Sequence, residues 1–263
     1  MTLRRGAARI VWPALLVTLV VALADVGLLD AGRLGRGVRN LGEFARALFP
    51  PDASTLPTLA EAMVETIEIA FVGTAIGFAL ALPLSLLASP VLFGPSVTAP
   101  VKLLLAVVRT VPALFWAIIF VVVVGLGPAA GALGIAFYSL GYLGKLLYET
   151  FDGVDPEVLE ATRSVGASRW QLARFAVLPE SANGILAQLL FMFEYNVRAS
   201  SILGLVGAGG IGFYLLGYLE LLRYDLLLTG LLLTLAVVIL IDRASAFVRR
   251  AFLFPVAPVP PAE

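Results

Sequence analysis

The sequence predicts an all-α integral membrane protein of about six transmembrane helices, and three observations carry that prediction. Hydrophobic residues make up 60% of the 263 positions and charged residues only 14%, where a water-soluble domain carries roughly 45–50% and about 25%. Mean hydropathy is +0.99; one soluble core of this length cannot hide that much apolar surface, so the excess must face lipid. The apolar residues also fall into separate runs, near the ~20 residues a helix needs to cross a bilayer. Cysteine and histidine are both absent, which excludes disulfide scaffolds, Cys/His zinc sites, thiol nucleophiles and acid–base steps on imidazole. No bound metal is expected. Eighteen Lys and Arg balance eighteen Asp and Glu, so net charge points to no nucleic-acid partner. Two of the cations are lysines, Lys102 and Lys145.

The first run is Ile10 to Leu29, behind Arg4, Arg5 and Arg9. Its basic start, apolar stretch and small triplet Ala22-Leu23-Ala24 also describe a cleavable signal peptide, but the stretch is long for one and favours a retained anchor. The second run goes from near Ala62 to Ala88, and the third is Val101 to Val124, broken by Arg109 and Pro112. The fourth extends from about Ala129 to Tyr148, with Lys145 near its end. The fifth extends from near Pro179 to about Leu205 and carries Glu194 and Arg198 inside it. Leu226 to Ile241 is the sixth, with a few further residues expected at each end.

One set of connections holds Arg4, Arg5, Arg9, Lys102, Arg163, Arg169, Arg174, Arg243, Arg249 and Arg250; the other holds Arg33, Arg36, Arg39, Arg46 and Arg223. The positive-inside bias places the larger set, and with it both termini, in the cytoplasm. On the outer side, the Asp30–Leu56 connection is amphipathic around Leu41, Phe44, Ala45 and Leu48, as an interfacial helix would be. Ile211–Leu222 is apolar but too short to cross, and is expected to be re-entrant or interfacial. The chain thus divides into an N-terminal anchor and outer loop (1–58), a transmembrane core (59–250) with a cytoplasmic loop at 152–179, and a Pro-rich cytoplasmic tail (251–263). In that loop Asp155-Pro156-Glu157 marks a helix start: an Asp cap, Pro at the first position and acid in the first turn. A turn is expected at Gly166.

Gly207-Ala208-Gly209-Gly210-Ile211-Gly212 fits G-x-G-x-x-G literally. A dinucleotide site needs a strand before that run and a helix after it; here a transmembrane helix precedes it, so a glycine hairpin is expected instead. G-x-x-x-x-G-K-[ST] is absent, so the chain has no P-loop for ATP.

The loop also carries Glu160-Ala161-Thr162, three residues, Gly166, nine residues, then Ala176-Val177-Leu178-Pro179. This resembles the EAA loop of ABC importer permeases, departing from it at Thr162 and Ala176. A short helix ending at a Gly turn is a compact knob that docks in a groove of a separate motor subunit. Glu160, Ala161, Gly166, Ala167, Ser168, Leu178 and Pro179 are the coupling residues this implies, with contact over Ser164 to Trp170 and with Arg163 and Arg169 on its polar faces. Phe193-Glu194-Tyr195-Asn196-Val197-Arg198-Ala199-Ser200 and Leu203-Gly204-Leu205-Val206-Gly207-Ala208-Gly209-Gly210-Ile211-Gly212 look like the permease of phosphonate importers, the PhnE family. Arg109-Thr110-Val111-Pro112, Gly125-Leu126-Gly127-Pro128 and Ser139-Leu140-Gly141-Tyr142-Leu143-Gly144-Lys145 support the likeness, which spans roughly 60–250. It implies a type I ABC importer fold in the bacterial inner membrane and a homodimer around a shared path. It also implies two cytoplasmic ATPase subunits that bind ATP and Mg, an extracytoplasmic binding protein, and no cofactor on this chain. The substrate implied is phosphonate, phosphite or a related phosphorus oxyanion; a permease for another small solute, such as an amino acid, is the alternative.

Charges inside a span cost about 2.5–3.5 kcal/mol each and therefore seek partners or ligands. Glu194 and Arg198 are four apart, a spacing at which they neutralise each other or a neighbouring helix. The functional alternative is a substrate path through Arg109, Glu194, Asn196, Arg198 and Ser200. Arg109 also has a snorkelling alternative and Lys145 reads as an interface anchor, while Glu65 and Glu68 are candidate partners for unpaired cations. Gly204, Gly207, Gly209, Gly210 and Gly212 are read as an outer gate, with ligand-facing N–H groups as the alternative. A secondary transporter would need coupling acids and usually an internal repeat; no repeat is visible and Glu194 is the one deep acid. No nucleophile or metalloprotease motif supports an intramembrane enzyme.

Overall fold

The computed structural model describes residues 2–252, with side chains described from 11 to 251. Two compact units are present, Met1–Pro51 and Asp52–Glu263. In the first, α1 (Thr2–Asp25) is followed by α2 (Ala31–Leu48). Asp30 caps α2, its Oδ1 accepting from the Arg33 N–H at 3.0 Å. Val38 and Leu41 of α2 are largely exposed, so the expected amphipathic segment is helical with an uncovered apolar face.

In the second unit α3 (Leu56–Ala88) precedes α4 (Pro95–Thr110) and α5 (Ala113–Val124). The sequence predicted one interrupted span there; the structure bends the pair by 87°. Pro112 supplies no N–H and drives Val111 out of the helical region, to φ −87° and ψ 119°. Next come α6 (Pro128–Asp152), α7 (Pro156–Ser164), α8 (Arg169–Leu172), α9 (Leu178–Leu203), α10 (Ile211–Glu220) and α11 (Tyr224–Phe252). Among the described residues four helical stretches are long and apolar enough to cross a membrane: Ala53–Ala88, Pro128–Asp152, Arg169–Val206 and Tyr224–Ala251. The bent pair raises that to five. Helix α1 stops at Asp25 and a turn takes the chain to Leu29; the side chains before Val11 lie outside those described, and the described part of the helix, Val11–Asp25, is apolar. The greater part of the tail lies outside the described residues, and α11 itself continues to Phe252, well beyond Ile241.

Helix α6 is the centre of the second unit and packs on α3, α4, α5 and α9. Close crossing with α3 depends on small residues. A Cβ at Gly73 would lie 2.5 Å from Ile135 Cγ2, and one at Gly77 would lie 2.6 Å from Ser139 Cβ. At one end of this unit Arg223 bridges Asp52 (3.3 Å) and Asp225 (2.9 Å). The Ser54 backbone and side chain, followed by Arg223, hold the Asp52 carboxyl below its ordinary value. A depressed carboxyl pKa stabilises the fold above the ordinary carboxylate range, and the contribution disappears as pH falls through the folded value. The site is exposed, so the effect is small.

Candidate functional site

The loop between α6 and α9 folds as a knob on the bundle. Asp155 caps α7, its Oδ1 accepting from the Glu157 N–H at 2.8 Å, with Pro156 in the first turn. Gly166 turns the chain at φ +80°, a left-handed conformation that disfavours any side chain, although the space around it is open. Ser168 and Gln171 form a capping box for α8: the Ser168 N–H donates to Gln171 Oε1 at 2.8 Å and the Gln171 N–H to Ser168 Oγ at 3.4 Å. Leu159, Leu172, Ala173, Ala176 and Val177 are buried in the same apolar cluster as Leu86, Leu92, Leu147 and Phe151. Burying each leucine contributes about 1.5–3 kcal/mol, so the knob moves with the bundle. Glu160, Ala161, Gly166, Ser168 and Pro179 are exposed, and Ala167 and Leu178 half-buried.

Arg163 and Arg169 are exposed and also reach the bundle: Arg163 Nη2 donates to the Val91 carbonyl at 2.8 Å, and Arg169 lies 5.8 Å from the Phe93 ring centre. Trp170 meets the same ring edge-on at 5.7 Å. The apolar tip is thus made by Val165 and Phe175 together with Trp170, which are 81%, 67% and 61% exposed. Residues Ala173–Val177 form a π turn, in which the Leu178 N–H donates to the Ala173 carbonyl, five residues back. Pro179 explains it: with no N–H for the Phe175 carbonyl, the ladder reorganises one turn earlier.

Glu194 and Arg198 do not pair with each other. Arg249 Nη1 donates to Glu194 Oε1 at 2.6 Å, and Arg198 Nη1 to Asp242 Oδ1 at 3.2 Å. The neighbouring-helix alternative therefore describes both, as two α9–α11 ion pairs of opposite polarity. Arg249, grouped by sequence with a connection, stands in the last turn of α11. Arg198 also opens onto a cleft of about 330 Å³ lined by Pro112, Ala113 and Leu114 at the α4–α5 bend and by Tyr195, Ala199 and Ile202. Asn196 is fully buried and ties three helices together, its Nδ2 donating to Thr74 Oγ1 and to Ser139 Oγ, both at 2.8 Å. Ser200 is fully buried as well. Arg109 is half-buried, its guanidinium 5.9 Å from the Tyr142 ring centre.

The Gly204–Gly212 segment is a tight hairpin between α9 and α10. Gly207 sits at φ +79°, and its carbonyl accepts from the Gly127 N–H at 2.9 Å. A Cβ at Gly209 would lie 3.0 Å from the Pro128 nitrogen, and one at Gly212 or Gly204 would meet the Ser201 carbonyl or the Phe213 nitrogen. Glu65 Oε1 accepts from the Gly210 N–H at 3.1 Å and Thr66 Oγ1 from the Ile211 N–H at 2.8 Å. Glu65 thus serves a helix N-terminus rather than a cation, and two of the N–H groups considered for a ligand are already engaged. A helix precedes the glycines, which removes the dinucleotide interpretation.

Residues 73–253 match the family described as binding-protein-dependent transport system inner membrane component. The chain belongs to this family. It is a multi-pass permease subunit of the bacterial inner membrane and not an enzyme. It is 36% identical over 233 residues to the phosphite transport system permease protein PtxC of Stutzerimonas stutzeri, covering 86% of this chain and 83% of that one. It is 38% identical over 212 residues to the phosphate-import permease protein PhnE of Mycolicibacterium smegmatis, 80% of this chain but 40% of that longer protein. Among solved structures, the MetNI methionine ABC transporter in an inward-facing conformation matches with a TM-score of 0.67 at 25% identity, over 76% of this chain and 98% of that one.

Asp242 and Arg249 were missed as partners because they follow the apolar run and read as a connection. A signal was present: they lie seven apart, on one helical face, opposite a Glu/Arg pair four apart. The Arg198–Asp242 pair gives the permease a test that separates its two roles. Arg198→Ala alone leaves an unpaired acid and should lower the yield of assembled protein; adding Asp242→Asn should restore it. If Arg198 meets an anion, uptake by the restored double variant stays low, and full recovery of uptake would limit Arg198 to a structural role.

Proposed function

We propose that the permease is the membrane-spanning half of an ATP-driven importer for phosphite, phosphonate or a related small phosphorus oxyanion. The observation that carries this is the 36% identity to a phosphite permease over 83% of its length, backed by the phosphate-import relative at 38%. Two copies are proposed to enclose a central path, with both termini and the Glu160–Pro179 knob in the cytoplasm. Two ATPase subunits, holding ATP and Mg, receive the knobs, and an extracytoplasmic binding protein delivers the ligand. Arg198 and Arg109 offer weak attraction along the path, which suits a conductor: several fixed Arg forks would hold a dianion too tightly to release it. The glycine hairpin acts as an outer gate. Nucleotide-driven closure moves the knobs, and the attached helices convert that into alternate opening. An amino-acid permease is a second reading, favoured by the likeness to the methionine transporter at 25% identity.

Growth decides between them. A host relying on this system should grow on phosphite or methylphosphonate as sole phosphorus source and stop when this chain is deleted. Unchanged growth on every phosphorus source, with loss of methionine uptake instead, would overturn the proposal.

A further inference from the structure

The two lysines of the sequence converge. Lys102 and Arg109 of α4 and Lys145 and Tyr148 of α6 line one shallow cleft. Lys102 and Arg109 are seven positions apart, which places them on one face of α4. Glycines let α6 come close enough to add Lys145. A Cβ at Gly141 would lie 2.8 Å from the Arg109 backbone nitrogen, and one at Gly144 would lie 2.6 Å from Leu105 Cδ2. The cations are only partly neutralised. Lys145 meets Glu149 at 3.3 Å, and Lys102 stands 3.7 Å from Asp152, too far for a strong hydrogen bond. Lys102 also rests 4.4 Å from the Tyr148 ring centre, and Arg109 faces the Tyr142 ring. Three cations against two acids leave a surplus positive charge, and both lysine side chains are about one-third exposed (33% and 36%).

We infer that this α4–α6 cleft is a weak binding site for a phosphate-class oxyanion, with Arg109 as the principal donor and Lys102 and Lys145 flanking it. The chemistry fits: a tetrahedral anion with several acceptor oxygens takes a planar guanidinium fork together with mobile ammonium point charges. Both lysine ion pairs are loose and partly solvated, so exchanging a carboxylate for an anion costs little. The cleft is too shallow to enclose the anion, which sits at its mouth and leaves readily. Two sources share this chemistry. One is a free oxyanion on the route, and that form rests on the function proposed above; the other is the phosphate of an anionic lipid headgroup, which does not.

Because both lysines of the chain line the cleft, amine acylation read by peptide mass spectrometry reports on it directly, without a transport assay. The full-length permease, co-purified with its ATPase, is placed in phosphatidylcholine nanodiscs and acylated with sulfo-NHS-acetate. Phosphite at twice its dissociation constant should slow modification of Lys102 and Lys145 about threefold, while chloride at matched ionic strength should not. If phosphatidylglycerol nanodiscs give the protection and phosphite does not, the headgroup is the source and the site stands. Arg109→Gln should remove the protection and Arg109→Lys retain part of it. Glu149→Gln, which releases Lys145, should strengthen it and serves if Arg109→Gln fails to assemble. Labelling indifferent to phosphite and to phosphatidylglycerol, or protection unchanged in Arg109→Gln, overturns the inference. Growth on phosphorus sources tests the substrate separately, so failure there with lipid protection intact removes the proposed substrate and not the cleft.

Discussion

A permease carrying Glu160→Lys or Gly166→Val should reach the membrane in normal amount, lose its ATPase during purification and import nothing. Glu160 is exposed on α7, so reversing its charge disturbs no core contact. At Gly166 the surrounding space is open, and the penalty is confined to the left-handed backbone, roughly 1–2 kcal/mol and more for a β-branched residue. Leu159 and Leu172 keep the knob seated, so the strain appears in the shape of the turn and not as unfolding. A docking equilibrium weakened by about 1.4 kcal/mol falls tenfold, and the proposed dimer would carry two knobs. Membrane fractionation, co-purification and uptake measure the three quantities. Normal uptake by both variants would remove the knob from the coupling path.

Gly212→Val has the opposite character: the protein should fail before transport can be measured. Its Cβ would occupy the position of the Ser201 carbonyl, with Gly204 Cα 3.1 Å away, so backbone and not a flexible side chain stands in the way. Overpacking costs typically 1–3 kcal/mol and more where nothing can move. The hairpin also anchors Glu65 and Thr66 of α3 and the start of α6, so the damage spreads across three helices. Gly217→Ala, in α10 with open space around it, is the matched control and should leave the melting temperature equal or slightly higher. Equal melting temperatures for Gly212→Val and the unaltered chain would mean the hairpin is loosely held.

The knob was legible residue by residue, because local chemistry determines it. Asp155-Pro156 starts a helix and Gly166 ends one wherever they occur, and the structure places both as expected. The deep charges were legible as needing partners but not as to which. Glu194 and Arg198 satisfy a local spacing rule, and only the three-dimensional packing of α11 along α9 offers each a better counter-ion. Asn196 shows the same limit. A sequence gives its polarity and depth, whereas its bonds to Thr74 and Ser139 depend on two crossings set by Gly77 and its neighbours. The break at Pro112 was visible; its angle was not, since proline removes one bond and neighbouring helices choose the direction.

Arg169 to Val206 is one helical stretch of 38 residues, reaching from the knob to the edge of the glycine hairpin. At a rise of 1.5 Å per residue that makes a beam of about 57 Å. Tilting such a beam by about 10° about one end sweeps the other through about 10 Å, more than the width of a small oxyanion. In the transporter proposed above, a modest rocking at the knob end is thus geometrically sufficient to displace the hairpin end, with no relay of side chains in between.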